Sequence, residues 1–301
     1  MIHHIRHREL DRRRWDDCLA QAGFGLPYAY SWYLDVVAPG WDALVLGDYE
    51  AVFPLPWNRR LFGFRQVYQP YFAQQLGLFG RSLPDRALLE TFIRALPPSF
   101  RRVKVCLNEQ NAALLPPEAG WEVKTNYLLP LSPDYGSLFA GYSKSLRKRV
   151  RRAREEHALV EDPLSPVELT ALYRAHQGQK LSLKEADYAR VARLMQAAID
   201  RGHGRIWGAT DAAGELRVAV FFLESHGRLI NLFGSSDERG RELHSMHFLL
   251  DALIEWHAGS ELIFDFEGSS IPSIASFFAS FGSEARSYYL AGWGKWPFSQ
   301  V

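Results

Sequence analysis

The sequence has few cysteines and no long hydrophobic run. Cys18 and Cys106 are its only cysteines among 301 residues, and no Cys-x-x-Cys pair occurs. A disulfide-built scaffold and a zinc site made of cysteine pairs are therefore excluded. The most apolar late stretch, residues 246–266, is interrupted by four acidic residues, so we expect no membrane span. The first residues lack the apolar core of a signal peptide, and we expect a reduced, soluble, cytoplasmic protein.

The sequence also lacks an excess of charge of either sign. Lys and Arg total 35, Asp and Glu total 34, and the net charge is +1. That balance disfavours broad binding to polyanions and leaves room for a local basic patch. No Gly-x-Ser-x-Gly, Walker A or Gly-x-Gly-x-x-Gly sequence is present, so a serine hydrolase, a P-loop NTPase and a dinucleotide oxidoreductase have no support. The histidine pairs His3/His7 and His244/His247 have no third ligand beside them, and we predict no metal.

The hydrophobic pattern predicts an α+β protein of two domains. In the first third, a hairpin with its turn at Gly47-Asp48 precedes further strands and one helix; these segments are 43–55, 64–70, 83–96 (the helix), 103–107 and 123–129. Helical patterns then fill 138–157, 166–176 and 185–200. A strand meander and a helix–strand–helix–strand order follow, at 205–210, 217–224, 228–234, 244–257, 261–266, 272–281 and 285–290. The first third repeats this order in shorter form, which indicates an internal duplication.

Two segments carry a resemblance to a known family. One is the basic helix Leu146-Arg-Lys-Arg-Val-Arg-Arg-Ala-Arg-Glu-Glu-His-Ala-Leu-Val. The other runs from Phe264 to Gly282, with an aromatic residue, Phe278, four positions before the glycine. Together with the element order they resemble the FemAB/FemX branch of the GNAT acyltransferases. The resemblance implies two tandem GNAT-like (acyl-CoA N-acyltransferase) domains, each with a mixed, mostly antiparallel sheet flanked by helices. We place them at 1–134, which the tail 292–301 could complete, and at 135–291.

The chain departs from that family at two ionisable positions. The bridge-forming enzymes of the family carry a lysine near Phe278, and an Asp-Pro pair where this chain has Asn108-Glu109. These departures weigh against bridge synthesis from aminoacyl-tRNA.

The resemblance implies an acyl-CoA donor whose pyrophosphate lies at a helix N-terminus. The segment Ser236-Asp-Glu-Arg-Gly-Arg-Glu-Leu keeps part of the family's glycine loop. We assign donor binding to five residues: Phe233, Arg239, Gly240, Arg241 and Ser245. The same segment also suits a polar loop whose arginines are simply solvated.

Acidic residues near the end of the next strand are the candidates for proton transfer. Asp265 and Glu267 have the same strand parity, so we expect both on one face, where either could take a proton from an amine. Capping of the following helix, or pairing with an arginine, would explain the same residues.

Amides and phenols suggest an acceptor site. Tyr68, Tyr71, Gln74 and Gln75 surround Pro70, and Asn231 lies on the strand expected at 228–234. Uncharged groups of this kind orient the hydroxyls and carbonyls of a sugar or peptide. A packed strand corner would have the same composition.

The basic helix places seven Lys and Arg residues between positions 144 and 154, around an apolar stripe of Leu146, Val150, Ala153 and His157. Such a helix could bind a phosphate, an acidic peptide or an RNA backbone. A solvated helix paired with carboxylates is the alternative.

These observations lead us to expect an N-acyltransferase that moves an acyl group from acetyl-CoA or another acyl-CoA to an amine of a cell-wall precursor, amino sugar or peptide. The alternatives are a FemX-like transferase that uses aminoacyl-tRNA, and a GNAT-fold binding module without catalysis. The oligomeric state stays open. The expectation depends on one geometric feature, a separation between the strands that end near Gly234 and Phe266.

Overall fold

The computed structural model describes residues 1–60, 63–118, 120–160, 164–176 and 184–294, without the side chains of residues 159 and 160. The chain divides into unit 1, Met1–Thr125 with Arg286–Val301, and unit 2, Asn126–Ala285. The sequence places the boundary after position 134, whereas in the structure it lies between Thr125 and Asn126. The reason is that the strand at Glu122–Pro130 ends by pairing with a strand of unit 2. The chain rejoins unit 1 at 286, before the expected 292; residues 295–301 of the tail lie outside the described residues.

Unit 1 contains two groups of strands. Its strands are β1 (Ile2–Ile5), β2 (Asp42–Leu46), β3 (Ala51–Leu55), β4 (Trp57–Arg59), β5 (Arg65–Val67), β6 (Phe79–Gly80) and β7 (Phe100–Leu107). Its helices are α1 (Arg12–Ala20), α2 (Ser31–Val37), α3 (Arg86–Arg94) and α4 (Glu109–Leu114), with 3-10 turns at His7–Glu9 and Pro27–Ala29. The first group has the order β1-β2-β3-β6 and is antiparallel throughout. In the second group, β4 pairs with β5 in the antiparallel direction and β5 pairs with β7 in the parallel direction.

Strand β8 (Glu122–Pro130) leads into unit 2. There the helices are α5 (Tyr135–Gly141), α6 (Lys144–Glu156), α7 (Pro166–His176), α8 (Glu185–Ile199), α9 (Glu238–Glu242), α10 (Ser245–His257) and α11 (Pro272–Ala279). The strands are β9 (His157–Val160), β10 (Gly204–Asp211), β11 (Leu216–Ser225), β12 (Arg228–Ser236) and β13 (Ile263–Asp265). The order is β8-β13-β12-β11-β10-β9, and β12 and β13 form its parallel pair. Strand β14 (Glu284–Trp293) pairs with β7 in unit 1.

The predicted order of elements is confirmed, and the mixed, mostly antiparallel sheets are as expected. Several elements had no counterpart in the pattern, among them helices α1, α2 and α4 and strands β1 and β9. The single helix expected at 138–157 is wrong: it is two helices, because Tyr142 is extended and the Ser143 hydroxyl caps α6 by accepting the Leu146 N–H at 3.2 Å. The Arg147 guanidinium closes α5 by donating to the carbonyls of Ala140 and Tyr142. Among the described residues, no helix has the length and apolar character needed to cross a membrane.

The core of unit 2 lies between its sheet and helices α6, α10 and α11. Phe222, Phe264, Phe266 and Phe281 are fully buried there. Gly282 lets the chain pass close to α5: its φ is 75°, and a Cβ built on it would lie 3.0 Å from the Gly141 carbonyl oxygen. The backbone conformation therefore explains why position 282 is a glycine, because a residue with a side chain is strained in the left-handed region.

We expect Gly282→Ala to lower the free energy of unfolding by about 1–2 kcal/mol, from the left-handed backbone and the close contact together. The matched control is Gly141→Ala, at the other side of the same contact, where a Cβ would meet nothing within 4 Å. Because Ala favours a helix over Gly, that variant should be neutral or slightly more stable. Urea unfolding followed by circular dichroism measures both; equal effects would contradict the explanation.

Candidate functional site

Strands β12 and β13 pair over only three residues and then separate. Arg228, Leu229 and Ile230 face Ile263, Phe264 and Asp265, and β13 ends there. Strand β12 continues to Ser236 alongside β11. The expected parting of these strands is thus present in unit 2. In an extended strand, alternate residues direct N–H and C=O groups to each edge, so β12 presents backbone polar groups on the side that β13 has left.

A β-bulge marks the same stretch of β12. Phe222 of β11 pairs with Asn231, and Phe221 pairs with Phe233, so Leu232 has no opposite residue in β11. A bulge bends the strand and re-aims the side chains beside it. It therefore increases the divergence of β12 at the point where pairing with β13 has stopped.

The separation opens into a cavity of about 510 Å³. Its lining includes Asn231, Phe233, Met246, Glu267, Phe277 and Phe278. Tyr173 of α7 also contributes and stacks on Phe233, with ring centroids 4.2 Å apart. The cavity is thus largely apolar and aromatic, with a few polar groups, as is typical of small-molecule sites.

Glu267 reaches this cavity from an unusual backbone conformation. Its φ is 58°, in the left-handed region that residues other than glycine rarely adopt. The Asp265 carboxylate accepts the Glu267 N–H at 2.9 Å and so stabilises that turn. The expectation that Asp265 and Glu267 share one strand face is wrong, because β13 ends at Asp265 and the chain turns before Glu267.

Asp265 itself lies in a buried ion pair. Its side chain is 1% exposed, and Arg228 donates from Nη1 to Oδ2 at 2.9 Å. The amide of Asn126 donates to the same oxygen at 3.2 Å. Burial raises the pKa of the Asp265 carboxyl, and Arg228 acts in the opposite direction. The pair sits where β12 and β13 are still joined, so Asp265 positions the adjacent turn and does not line the cavity.

The predicted donor loop is already engaged within the protein. Arg239 pairs with Glu242 at 2.9 Å, the Gly240 N–H is donated to the Asp237 carboxylate, and Arg241 donates to the Ser236 carbonyl. The buried Ser245 hydroxyl lies 3.0 Å from Nε2 of His157. Each of these groups thus has an internal hydrogen-bond partner. Phe233, by contrast, lines the cavity.

The predicted acceptor residues fall in two places. Asn231 lines the cavity of unit 2, whereas Tyr68, Tyr71, Gln74 and Gln75 belong to unit 1. Tyr71 is 72% exposed. Gln75 is buried, accepts the Glu109 N–H at 2.8 Å and donates to Gln74, which ties its segment to the start of α4. Gln75 therefore has the structural role that the strand-corner alternative describes.

The basic helix α6 divides its cations into two sets. Leu146, Val150 and Ala153 are buried as expected, whereas His157 begins β9. Arg154 is committed to the buried Asp251 at 2.9 Å and to Glu255. Lys144, Lys148, Arg149 and Arg152 are exposed and have no ion-pair partner within the described part of the chain. We call these four residues the α6 cationic face.

Three cavity residues had no signal in the sequence that singled them out. Tyr173, Met246 and Phe277 come from three different helices, and their helical patterns indicated only a core face. His247 packs edge-on against Phe277, with centroids 4.8 Å apart, and burial lowers its pKa to about 4. Its imidazole is therefore uncharged at neutral pH. Among the described residues, no group of three metal-ligating side chains is close enough to hold an ion.

We expect Asp265→Asn to lower the free energy of unfolding by about 3–5 kcal/mol, because the buried guanidinium of Arg228 would lose the carboxylate to which it donates at 2.9 Å. The matched control is Glu242→Gln, which breaks the exposed Arg239–Glu242 pair. That change should cost less than about 1 kcal/mol. Urea unfolding compares the two variants, and equal losses would show that the buried pair contributes no more than an exposed one.

No protein-family model matches the sequence, and no curated protein matches it either. Solved structures do match the fold. FemX is 10% identical, with a TM-score of 0.65, and the match covers 93% of this chain and 96% of FemX. The C-terminal domain of a candidate lysylphosphatidylglycerol synthetase from Agrobacterium fabrum is 12% identical, with a TM-score of 0.57, covering 93% and 90% of the two chains. L-PGS from Bacillus licheniformis is 13% identical, with a TM-score of 0.51 and 87% of each chain covered.

At identities this low, the structural matches show a shared fold and do not identify the reaction. The protein has a FemX-like α+β fold, as the sequence predicts.

Proposed function

We propose that unit 2 transfers an acyl group from an activated carrier to an amine. The observation that carries this proposal is the separation of β12 from β13 after Ile230, which leaves a strand edge, a cavity and Glu267 side by side. The fold is one that acyl and aminoacyl transferases use, and the acceptor would be an amine of a cell-wall precursor, amino sugar or peptide.

The cavity offers what this reaction needs. The amine nitrogen attacks the acyl carbonyl carbon, the new C–N bond forms, and the bond from carbon to the carrier's sulfur or oxygen breaks. The Glu267 carboxylate takes the proton that the amine loses, directly or through a water, and a proton passes to the departing carrier atom. N–H groups on the open edge of β12 would stabilise the negative oxygen of the tetrahedral intermediate. The aromatic walls would hold the acyl chain and exclude water.

We expect Glu267→Gln to lower kcat about 10²–10⁴-fold for acylation of an accepting amine, because a general base typically contributes that much. Donor binding should stay near wild type.

Acetyl-CoA and longer acyl-CoAs are the first donors to be tested, by calorimetry and thermal melting. A ligand at 100 times its Kd adds about 2.7 kcal/mol to the free energy of unfolding. The control is Glu242→Gln, an exposed carboxylate outside the cavity. No binding of any acyl-CoA would exclude that carrier, and full activity of Glu267→Gln would exclude the assigned base.

A second donor, aminoacyl-tRNA, is favoured by the α6 cationic face. The predicted pyrophosphate loop has its polar groups engaged, whereas four exposed cations of α6 have no partner in the described residues. An unpaired row of Lys and Arg suits a nucleic-acid backbone better than one small ligand. One structural relative, the candidate lysylphosphatidylglycerol synthetase, is named for a product that contains a lysyl group.

If tRNA is the donor, the logarithm of its binding constant should fall with the logarithm of salt concentration with a slope of about 3–4, since four phosphates would be neutralised. The double variant Arg149→Gln/Arg152→Gln should reduce that slope by about 2. The control is Arg86→Gln/Arg94→Gln on α3, where both arginines already pair with Glu90. Filter binding with charged tRNA measures the slope. If neither tRNA nor any acyl-CoA binds, a binding module without catalysis becomes the remaining hypothesis.

A further inference from the structure

A second cleft of about 460 Å³ lies at the opposite end of the same strands of unit 2. It is bordered by the start of β10, the β11–β12 turn and the C-terminal end of α10. The cleft and the first cavity share no lining residue: on β12, Leu229 lines the cleft, and the first cavity begins at Asn231. The cleft is therefore separate from the site of the proposed transfer.

Strand register explains why its side chains converge. Arg205 pairs with Phe222, Trp207 pairs with Val220, and Glu224 is two residues from Phe222. Cross-strand partners and residues two apart share a face, so Arg205, Trp207 and Glu224 lie on one face of the sheet. Helix α10 packs on the sheet and brings Trp256 and His257 to the end of that face.

Two indole rings form the aromatic part of the cleft. Trp207 and Trp256 lie with ring centroids 5.4 Å apart and planes inclined at 57°. Trp256 is 60% exposed, which is unusual for the largest apolar side chain. An exposed tryptophan in a cleft presents a flat apolar surface together with one N–H donor, a combination frequent at binding sites.

The polar groups around the rings balance in charge. Arg205 is cationic and Glu224 is anionic, and neither has an ion-pair partner in the described part of unit 2. Burial lowers the pKa of His257, which the Glu224 carboxylate opposes and Arg205 reinforces, so the imidazole is neutral at pH 7. The cleft thus combines hydrogen-bond donors and acceptors, and the charges of Arg205 and Glu224 offset one another.

From these features we propose that the cleft binds a neutral saccharide, with a sugar ring stacked on Trp256 and its hydroxyls bonded to Arg205, Glu224 and His257. A pyranose ring has apolar C–H groups on its faces and hydroxyls around its rim, which matches an indole surface bordered by hydrogen-bonding side chains. The cleft volume lies within the range of small-ligand sites. This inference is independent of the proposed acyl transfer.

The test uses the full chain and three neutral probes: the β-1,4-linked trisaccharide of N-acetylglucosamine, cellotriose and maltotriose. Calorimetry and tryptophan fluorescence should show binding of at least one, in the millimolar range or tighter. Trp256→Ala should weaken binding at least tenfold and reduce the fluorescence change, because one of the two indole rings of the cleft is removed. Trp256→Phe should keep most of the affinity, because it keeps a ring to stack on.

Glu224→Gln should weaken sugar binding severalfold, because it removes an anionic acceptor. The matched control is Val167→Ala, at an exposed apolar residue on α7, which should leave sugar binding unchanged. Circular dichroism checks that each variant stays folded, as is expected for changes at exposed positions. Three results would overturn the proposal: no binding of any of the three sugars, binding that Trp256→Ala leaves unchanged, or tighter binding of choline that depends on Glu224, which would indicate a site for a cation.

Discussion

The buried pair between Arg228 and Asp265 fixes the place where two parallel strands stop being neighbours. It joins the first residue of β12 to the last residue of β13, and Asn126 of β8 donates to the same carboxylate oxygen. Two charges removed from water are stable only when they are paired and hydrogen-bonded. The other Asp265 oxygen accepts the Glu267 N–H and holds the left-handed turn that directs the chain along the cavity. Strand separation and the position of the candidate base therefore depend on one carboxylate.

Some cations of unit 2 are paired within the protein, whereas others are exposed and have no ion-pair partner in the described residues. Arg147 donates to carbonyls at the end of α5, and Arg154 pairs with the buried Asp251. Arg239 and Arg241 bind Glu242 and the Ser236 carbonyl, close to them in the sequence. The four residues of the α6 cationic face have no ion-pair partner in the described part of the chain. A net charge of +1 for the whole chain conceals this asymmetry, because the balance is reached by internal pairing at some sites and not at others.

The order of the predicted elements could be derived from the sequence, because hydrophobic periodicity carries it. The separation of β12 from β13 was an expectation that the resemblance to the GNAT fold implied. The break at Tyr142-Ser143 could not, since a capping serine inside a helical pattern resembles any surface serine. The partner of Ser245 depends on a tertiary contact, because His157 is 88 residues away in the sequence. Periodicity has no information on such tertiary bonds. Pairing of Asp265 with an arginine was one of the alternatives that the sequence allowed, but the partner could not be named, because Arg228 is 37 residues away.

Unit 1 is discontinuous in sequence, and this has a consequence for its synthesis. Strand β7 obtains its neighbour β14 only after the 160 residues of unit 2 have been made, because Val103–Leu107 pair with Tyr289–Trp293. Unit 2 is a single continuous segment and can fold on the ribosome as soon as it emerges, while unit 1 waits with an exposed strand edge. A nascent chain that stalls before β14 would thus carry one finished domain and one incomplete, aggregation-prone domain, which is the kind of intermediate that chaperones hold.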